Sequence, residues 1–304
     1  MAETKKEQGV PEPPKVEELD LSAAGNLEAA AKKDPQIKEI AEKSPTRKKG
    51  GKFNFIKSEL IPLPSKGRLY KPVCKDPEIV KKGMIRMKPM TVKEEEILST
   101  PRFLKAGIAT RMILERCIDS DIDAKDILLF DSNFLMFYLR SISYGDEYHF
   151  ELQCTNPTCE KKFDHLVNIT KLAFDELDDE VVEPIKITLP ISKYTVEAIL
   201  PRLYHTEEIY TRNSNRKKST QDSDQRLLDN MLVTTLAIYD EEGEEVDESD
   251  WVEFYEALPG ADSGTLREKF AFSTNIDEIK DIECPYCNTE FDGSIPMGPE
   301  FFRF

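Results

Sequence analysis

Two close cysteine pairs set the topology of this chain more tightly than anything else in it: Cys154-Thr-Asn-Pro-Thr-Cys159 and Cys284-Pro-Tyr-Cys287, separated by the 124 residues from Glu160 to Glu283. Thiolates two to four residues apart across a tight turn can both face one ion at about 2.3 Å. Extended sequence flanks each pair. Tyr148, Phe150 and Leu152 alternate with His149, Glu151 and Gln153 before the first pair, and Phe163-Asp-His-Leu-Val-Asn-Ile follows it; Asn288-Thr-Glu-Phe-Asp follows the second. That is the strand-knuckle-strand pattern of a zinc ribbon. Cys154, Cys159, Cys284 and Cys287 are therefore the candidate ligands of a structural Zn2+, because four thiolates close the tetrahedron and leave no place for a reactive water. Disulfides are the competing reading, but each pair would close only a tiny loop with little effect on chain entropy, and the N-terminus lacks the apolar core of a secretory signal. His149 or His165 could replace one thiolate, although a histidine on an exposed strand face is more often simply solvated. Cys74 and Cys117 are unpaired by spacing.

If the pairs meet, residues 150–170 are stapled to 280–295, and what lies between is an insertion. The expected fold class is α+β, with a helical N-terminal region leading into a split four-cysteine ribbon that carries an inserted β-hairpin and helical domain. The corresponding boundaries are a disordered arm over 1–52, a mainly helical region over 53–146, a discontinuous ribbon over 147–172 and 280–304, and an inserted α+β domain over 173–279. Residues 1–52 contain no aromatic side chain and end in the basic run Arg47-Lys-Lys-Gly-Gly-Lys52, which suits a solvated arm.

Local signals fill in this frame. Leu60-Ile-Pro-Leu-Pro-Ser-Lys-Gly-Arg-Leu-Tyr70 favours extended chain and a turn, and so a short strand pair or clamp. Thr91-Val-Lys-Glu94 has capping-box spacing and predicts a helix to about Leu98. Thr100-Pro101 predicts a second helix to about Cys117, and Asp131-Ser-Asn a third through Phe134–Ile142, ending in a left-handed Gly145. Alternation over 183–200 predicts a hairpin followed by helix. The stripe Leu227, Leu228, Met231, Leu232, Thr235, Leu236 and Tyr239 predicts one amphipathic helix, and Asp250 to Leu258 another. The acidic runs Asp175–Glu180 and Asp240–Glu245, and the basic stretch Arg212–Ser219, are expected to be solvated loops.

Charge argues against nucleic acid as a partner. The net charge is -16, and residues 1–52 hold eleven Lys/Arg against ten Asp/Glu, which leaves 31 against 48 for the rest. An acidic body repels phosphate backbones. A nucleic-acid-binding zinc-ribbon protein is the alternative reading, resting on the ribbon and the two basic runs. Catalysis has few candidates: three histidines, no glycine-rich phosphate loop, no G-x-S-x-G and no H-E-x-x-H. No apolar stretch approaches the roughly 20 residues of a membrane span, so no transmembrane helix is expected. The N-terminus Met1-Ala-Glu-Thr-Lys-Lys-Glu has no secretory core, so the expected location is the compartment where the chain is made, a reducing one.

The order of motifs carries a further signal. Leu63-Pro-Ser-Lys-Gly67 with Tyr70, Met90-Thr-Val-Lys-Glu-Glu-Glu-Ile-Leu98, Leu104-Lys-Ala-Gly107, Cys117-Ile118, Leu128 to Asp131, Leu139-Arg140 and Ser143-Tyr-Gly-Asp-Glu-Tyr148 run in sequence into Cys154. This string resembles the baseplate hub protein family of T-even-type contractile bacteriophages over roughly residues 58–170, and again at Cys284–Cys287 and the Pro296–Phe304 tail. That family commonly has a two-residue gap in its first cysteine pair, whereas this chain has four. The resemblance implies a late viral protein made in the host cytoplasm and acting through other baseplate or tail proteins, as a hub component of the virion tail or as an assembly chaperone for it. A symmetric oligomer is compatible with such a particle, and no heptad stripe specifies one. The terminal Phe301-Phe-Arg-Phe304 is expected either to contact a partner or to pack on the chain's own ribbon.

Overall fold

The computed structural model describes residues 57–100, 103, 108–215 and 226–302. The arm over 1–52, Pro101 and most of the chain up to Gly107 in the second expected helix, the second half of the basic stretch 212–219 and the last two residues lie outside these. Mixed helix and sheet run throughout, as α+β requires.

Strand β1 (Glu59–Pro62) pairs antiparallel with β2 (Met84–Met87), so the proline-rich segment does belong to a strand pair. Between them the chain turns through Leu63–Tyr70 and helix α1 (Pro77–Lys82), which starts with Pro77 at N1 behind the Asp76 side-chain cap. Gly67 closes this turn at φ 71°, and a Cβ there would sit 1.9 Å from the Ile79 carbonyl oxygen, so no other residue fits without moving backbone. Helix α2 (Val92–Leu98) opens on the expected capping box, in which the Thr91 amide donates to Glu94 Oε2 at 2.8 Å. Helix α3 (Ala109–Cys117) follows.

Helix α4 (Leu129–Tyr144) differs from expectation at its start: Leu128 occupies the N-cap without a side-chain bond, and Asp131 lies inside the first turn. The carboxylate of Asp131 is spent elsewhere. It accepts from the Ser65 amide at 2.9 Å, the Ser65 hydroxyl at 2.6 Å and the Tyr70 hydroxyl at 2.7 Å. Complete burial raises its pKa, and these donors oppose the rise. The helix ends at Gly145 as expected, but with φ 96° and ψ 166°, an extended rather than helical left-handed conformation.

Beyond the hairpin of β3 (Glu147–Gln153) and β4 (Lys162–Asn168), the acidic run 175–180 is a loop with its acidic side chains exposed, as expected, and its backbone tied down as a strap. Leu177 is buried and donates its amide to the Pro64 carbonyl at 3.0 Å, while Lys66 pairs with Glu176 and Asp179. Arg68 bonds the carbonyls of Leu177, Asp178 and Asp179. The turn of the first motif therefore holds the strap.

The expected hairpin, β5 (Ile185–Thr188) with β6 (Thr195–Ala198), gains a third strand. Helix α6 (Arg226–Thr234), which follows α5 (Leu203–Asn215), stops at Thr234, and Thr235–Tyr239 forms β7 against β6 instead of continuing the helix. Thr235, Ile238 and Tyr239 suit a pleated surface, and pairing Val196 with Ile238 buries both residues. Helix α7 (Trp251–Ala257) matches expectation. Helix α8 (Gly260–Lys269), rich in Gly, Ser and Thr, was not foreshadowed; its buried Asp262 accepts from the Ile191 and Ser192 amides at 2.8 and 2.9 Å. The last hairpin pairs β8 (Glu278–Glu283) with β9 (Glu290–Ser294).

Two apolar clusters result. The larger gathers Tyr70, Ile85, Ile113, Phe134, Phe137 and Phe301, and the smaller packs the three-stranded sheet under Leu232, Trp251 and Leu266. Where the chain passes between them, Arg202 bonds Asp126 O, Leu69 O and the Glu183 carboxylate at 2.9–3.1 Å. Its backbone N–H donates to Nδ1 of buried His205 at 2.8 Å.

Candidate metal centre

The two cysteine pairs converge. Each sits at the tip of a hairpin, Cys154–Cys159 between β3 and β4 and Cys284–Cys287 between β8 and β9. Both knuckles close in the same way: the Cys154 amide donates to the Lys161 carbonyl at 2.9 Å, and the Cys284 amide to the Thr289 carbonyl at 3.0 Å. In each, the residue after the second cysteine turns left-handed, Glu160 at φ 46° and Asn288 at φ 55°. These turns aim both sulfurs of a pair the same way.

All four sulfurs lie within 4.8 Å of one another. Cys154 Sγ is 3.6 Å from Cys287 Sγ, and Cys159 Sγ is 3.9 Å from Cys284 Sγ. Four sulfurs bound tetrahedrally at about 2.3 Å stand about 3.8 Å apart, so the spacing and the donor set both suit a metal ion. Among the described residues this is the one grouping of three or more His, Cys, Asp or Glu donors. Neither histidine joins it. His149 is exposed, and His165 sits edge-on to Phe150 at 5.8 Å with its pKa lowered by burial.

The thiols differ electrically. Burial pushes the Cys154 thiol up to about 12, whereas hydrogen bonding to the side chain and amide of Thr289 pulls exposed Cys287 down to about 6. A bound dication would favour the thiolate at all four positions.

Apolar contacts hold the two hairpins together below the sulfurs. The Phe163 and Phe291 rings meet edge-on at 6.3 Å. A Cβ on Gly293 would stand 3.7 Å from Leu152 Cδ2 and 2.9 Å from Ile282 Cδ1, which leaves little room for a side chain between the hairpins. The tail then returns to the core: Phe301 is fully buried, its ring 4.9 Å from those of both Phe137 and Tyr148. Phe301 and Phe302, the described aromatic residues of the tail, thus pack within the fold, Phe301 against α4 and β3.

With this arrangement in view, comparison with known families is decisive. The family described as T4 bacteriophage base plate protein matches residues 63–303. The chain belongs to that family. The match runs from the Leu63 turn through both cysteine pairs to the buried Phe301, so the whole four-cysteine cluster lies inside it. No curated protein and no solved structure matches the chain. Membership makes this baseplate protein a structural part of the phage tail machinery, with other tail proteins as its partners. Among its described residues, no helix is long and apolar enough to cross a membrane.

Sequence reasoning identified the four cysteines but missed the polar residues around them. Asn156 Nδ2 donates to Thr289 Oγ1 at 3.0 Å, and Cys287 Sγ is 3.3 Å from the same oxygen. Across the knuckles, Lys161 Nζ stands 4.7 Å from the centre of the Tyr286 ring.

Proposed function

We propose that this protein acts at the hub of the baseplate, as a hub component or an assembly factor for it, working through protein–protein contacts without catalysis. A structural Zn2+ held by Cys154, Cys159, Cys284 and Cys287 ties the ribbon segments 147–172 and 280–304 into one domain and sets 173–279 apart as an insertion. The convergence of four thiols from sites 125 and 133 residues apart, within a chain of the baseplate family, carries this reading. Four thiolates close the coordination shell, which suits a staple and not a reaction centre. Protein contacts fit the acidic body, and assembly would proceed in the host cytoplasm before the chain reaches the tail.

The test is quantitative mass spectrometry of purified virions and of baseplate intermediates from the same infection. Three or six copies per virion support a resident hub component. Presence in intermediates with absence from virions supports an assembly factor, and absence from both overturns the proposal.

A further inference from the structure

The four-residue gap of the first knuckle does more than close a turn. Every polar group of Asn156 is engaged. Its amide donates to Cys154 Sγ at 3.4 Å, its carbonyl accepts from the Cys159 and Glu160 amides at 2.9 and 3.0 Å, and its Oδ1 accepts from the Thr158 amide and hydroxyl at 3.0 and 2.8 Å. That leaves Nδ2 fixed in direction. It reaches the other hairpin, 3.0 Å from Thr289 Oγ1 and 3.9 Å from Cys287 Sγ. Thr289 Oγ1 in turn lies 3.3 Å from Cys287 Sγ.

We infer that Asn156 and Thr289 form a polar clasp between the two knuckles that positions Cys287 and sets how tightly the centre holds its metal. The inference rests on the metal reading above. Cys287 is the exposed member of the four, where competing water or chelator has easiest access, and the clasp lies beside its sulfur. The shorter second knuckle offers only Pro285 and Tyr286 between its cysteines, so the polar reach across comes from the longer one. Lys161 over Tyr286 adds a second crossing between the hairpins. Groups that orient metal ligands from outside the coordination shell typically change affinity by roughly 10–100-fold when removed.

The experiment titrates Co2+ into reduced, metal-stripped full-length protein, follows the ligand-field absorption of a tetrahedral four-thiolate complex, and measures Zn2+ affinity by competition with a chromophoric chelator. The variants are Asn156→Ala, Thr289→Val and Thr289→Ser. We expect Asn156→Ala and Thr289→Val to weaken Zn2+ binding by roughly 10–100-fold, the double variant to lose less than the product of the two, and Thr289→Ser to stay close to wild type. Both positions are half-buried at the rim, and circular dichroism of the metal-saturated variants checks their fold. A variant that unfolds only without metal is scored by its rate of metal release. Single variants within about twofold of wild type, or Val and Ser equally impaired at 289, overturn the clasp while leaving the metal reading intact. A wild-type chain with no four-thiolate spectrum overturns both.

Discussion

His205 should make this protein acid-sensitive by an amount the structure defines. Its ring is buried, its Nδ1 accepts the Arg202 amide proton at 2.8 Å, and Tyr204 covers it with ring centres 3.9 Å apart. Protonation would destroy the accepted bond and place a cation beside the Arg202 guanidinium in a dry site. Burial first, and Arg202 second, depress its pKa from 6.5 to about 3. Between those values the unfolded chain binds one proton more than the folded one, so stability rises with pH across the window. The contribution is fully present above the unfolded pKa and is lost as pH falls towards 3. Dropping from pH 7.5 to pH 5 should cost about 2 kcal/mol through this residue alone. Urea unfolding at both pH values, with zinc in constant excess, measures it. The control is His205→Asn, whose side-chain oxygen can accept from Arg202 but does not titrate. Wild type should lose about 2 kcal/mol more than the variant over this interval, and parallel losses within about 0.5 kcal/mol would refute the argument.

Two further outcomes follow from the same packing. Phe301→Ala removes a fully buried ring from between Phe137 and Tyr148 and should destabilise the fold by about 3–5 kcal/mol in chemical denaturation; a loss under about 1 kcal/mol would show that the tail does not hold the core. Cys284→Ser, or chelation of wild type, should lower the melting temperature and open both hairpin tips to protease, because without metal four thiols crowd together and only the polar clasp, the Lys161–Tyr286 contact and the Phe163–Phe291 pair join the hairpins; unchanged melting and cleavage would argue against a structural metal.

What the sequence disclosed, and what it concealed, divides by range. The cysteine spacing, the Thr91–Glu94 box and the alternation of Tyr148, Phe150 and Leu152 act within a few residues, and each reads directly as structure. Asp131 misled because Asp-Ser-Asn is a cap signature, while its actual partners, Ser65 and Tyr70, are 66 and 61 residues away. The stripe from Leu227 to Tyr239 satisfies a helical period and, in its last five residues, a strand; only the free edge of β6 decides between them. Helix α8 has weak intrinsic propensity and is held by Leu266 in the smaller core and by Asp262 on the β5–β6 turn. The clasp at Asn156 was concealed because its partner is 133 residues distant.

Distance in sequence also explains why the molecule is organised about α4. Its first turn receives the Leu63–Tyr70 motif through Asp131; its middle meets Phe174, the residue that leads into the acidic strap, through Phe134, with ring centres 4.6 Å apart. Further along, Phe137 packs at a tilt on Phe301 of the returning tail, and the Arg140 guanidinium lies 5.0 Å from the Tyr148 ring in β3. Gly145 then passes the chain directly into the hairpin that ends at Cys154. Ten of the sixteen helix residues are buried, so no single apolar face marks the partner of this helix. The hairpin tips bring residues 284–302 back to this helix, so the cysteine cluster and the buried Phe301 lie on one returning segment.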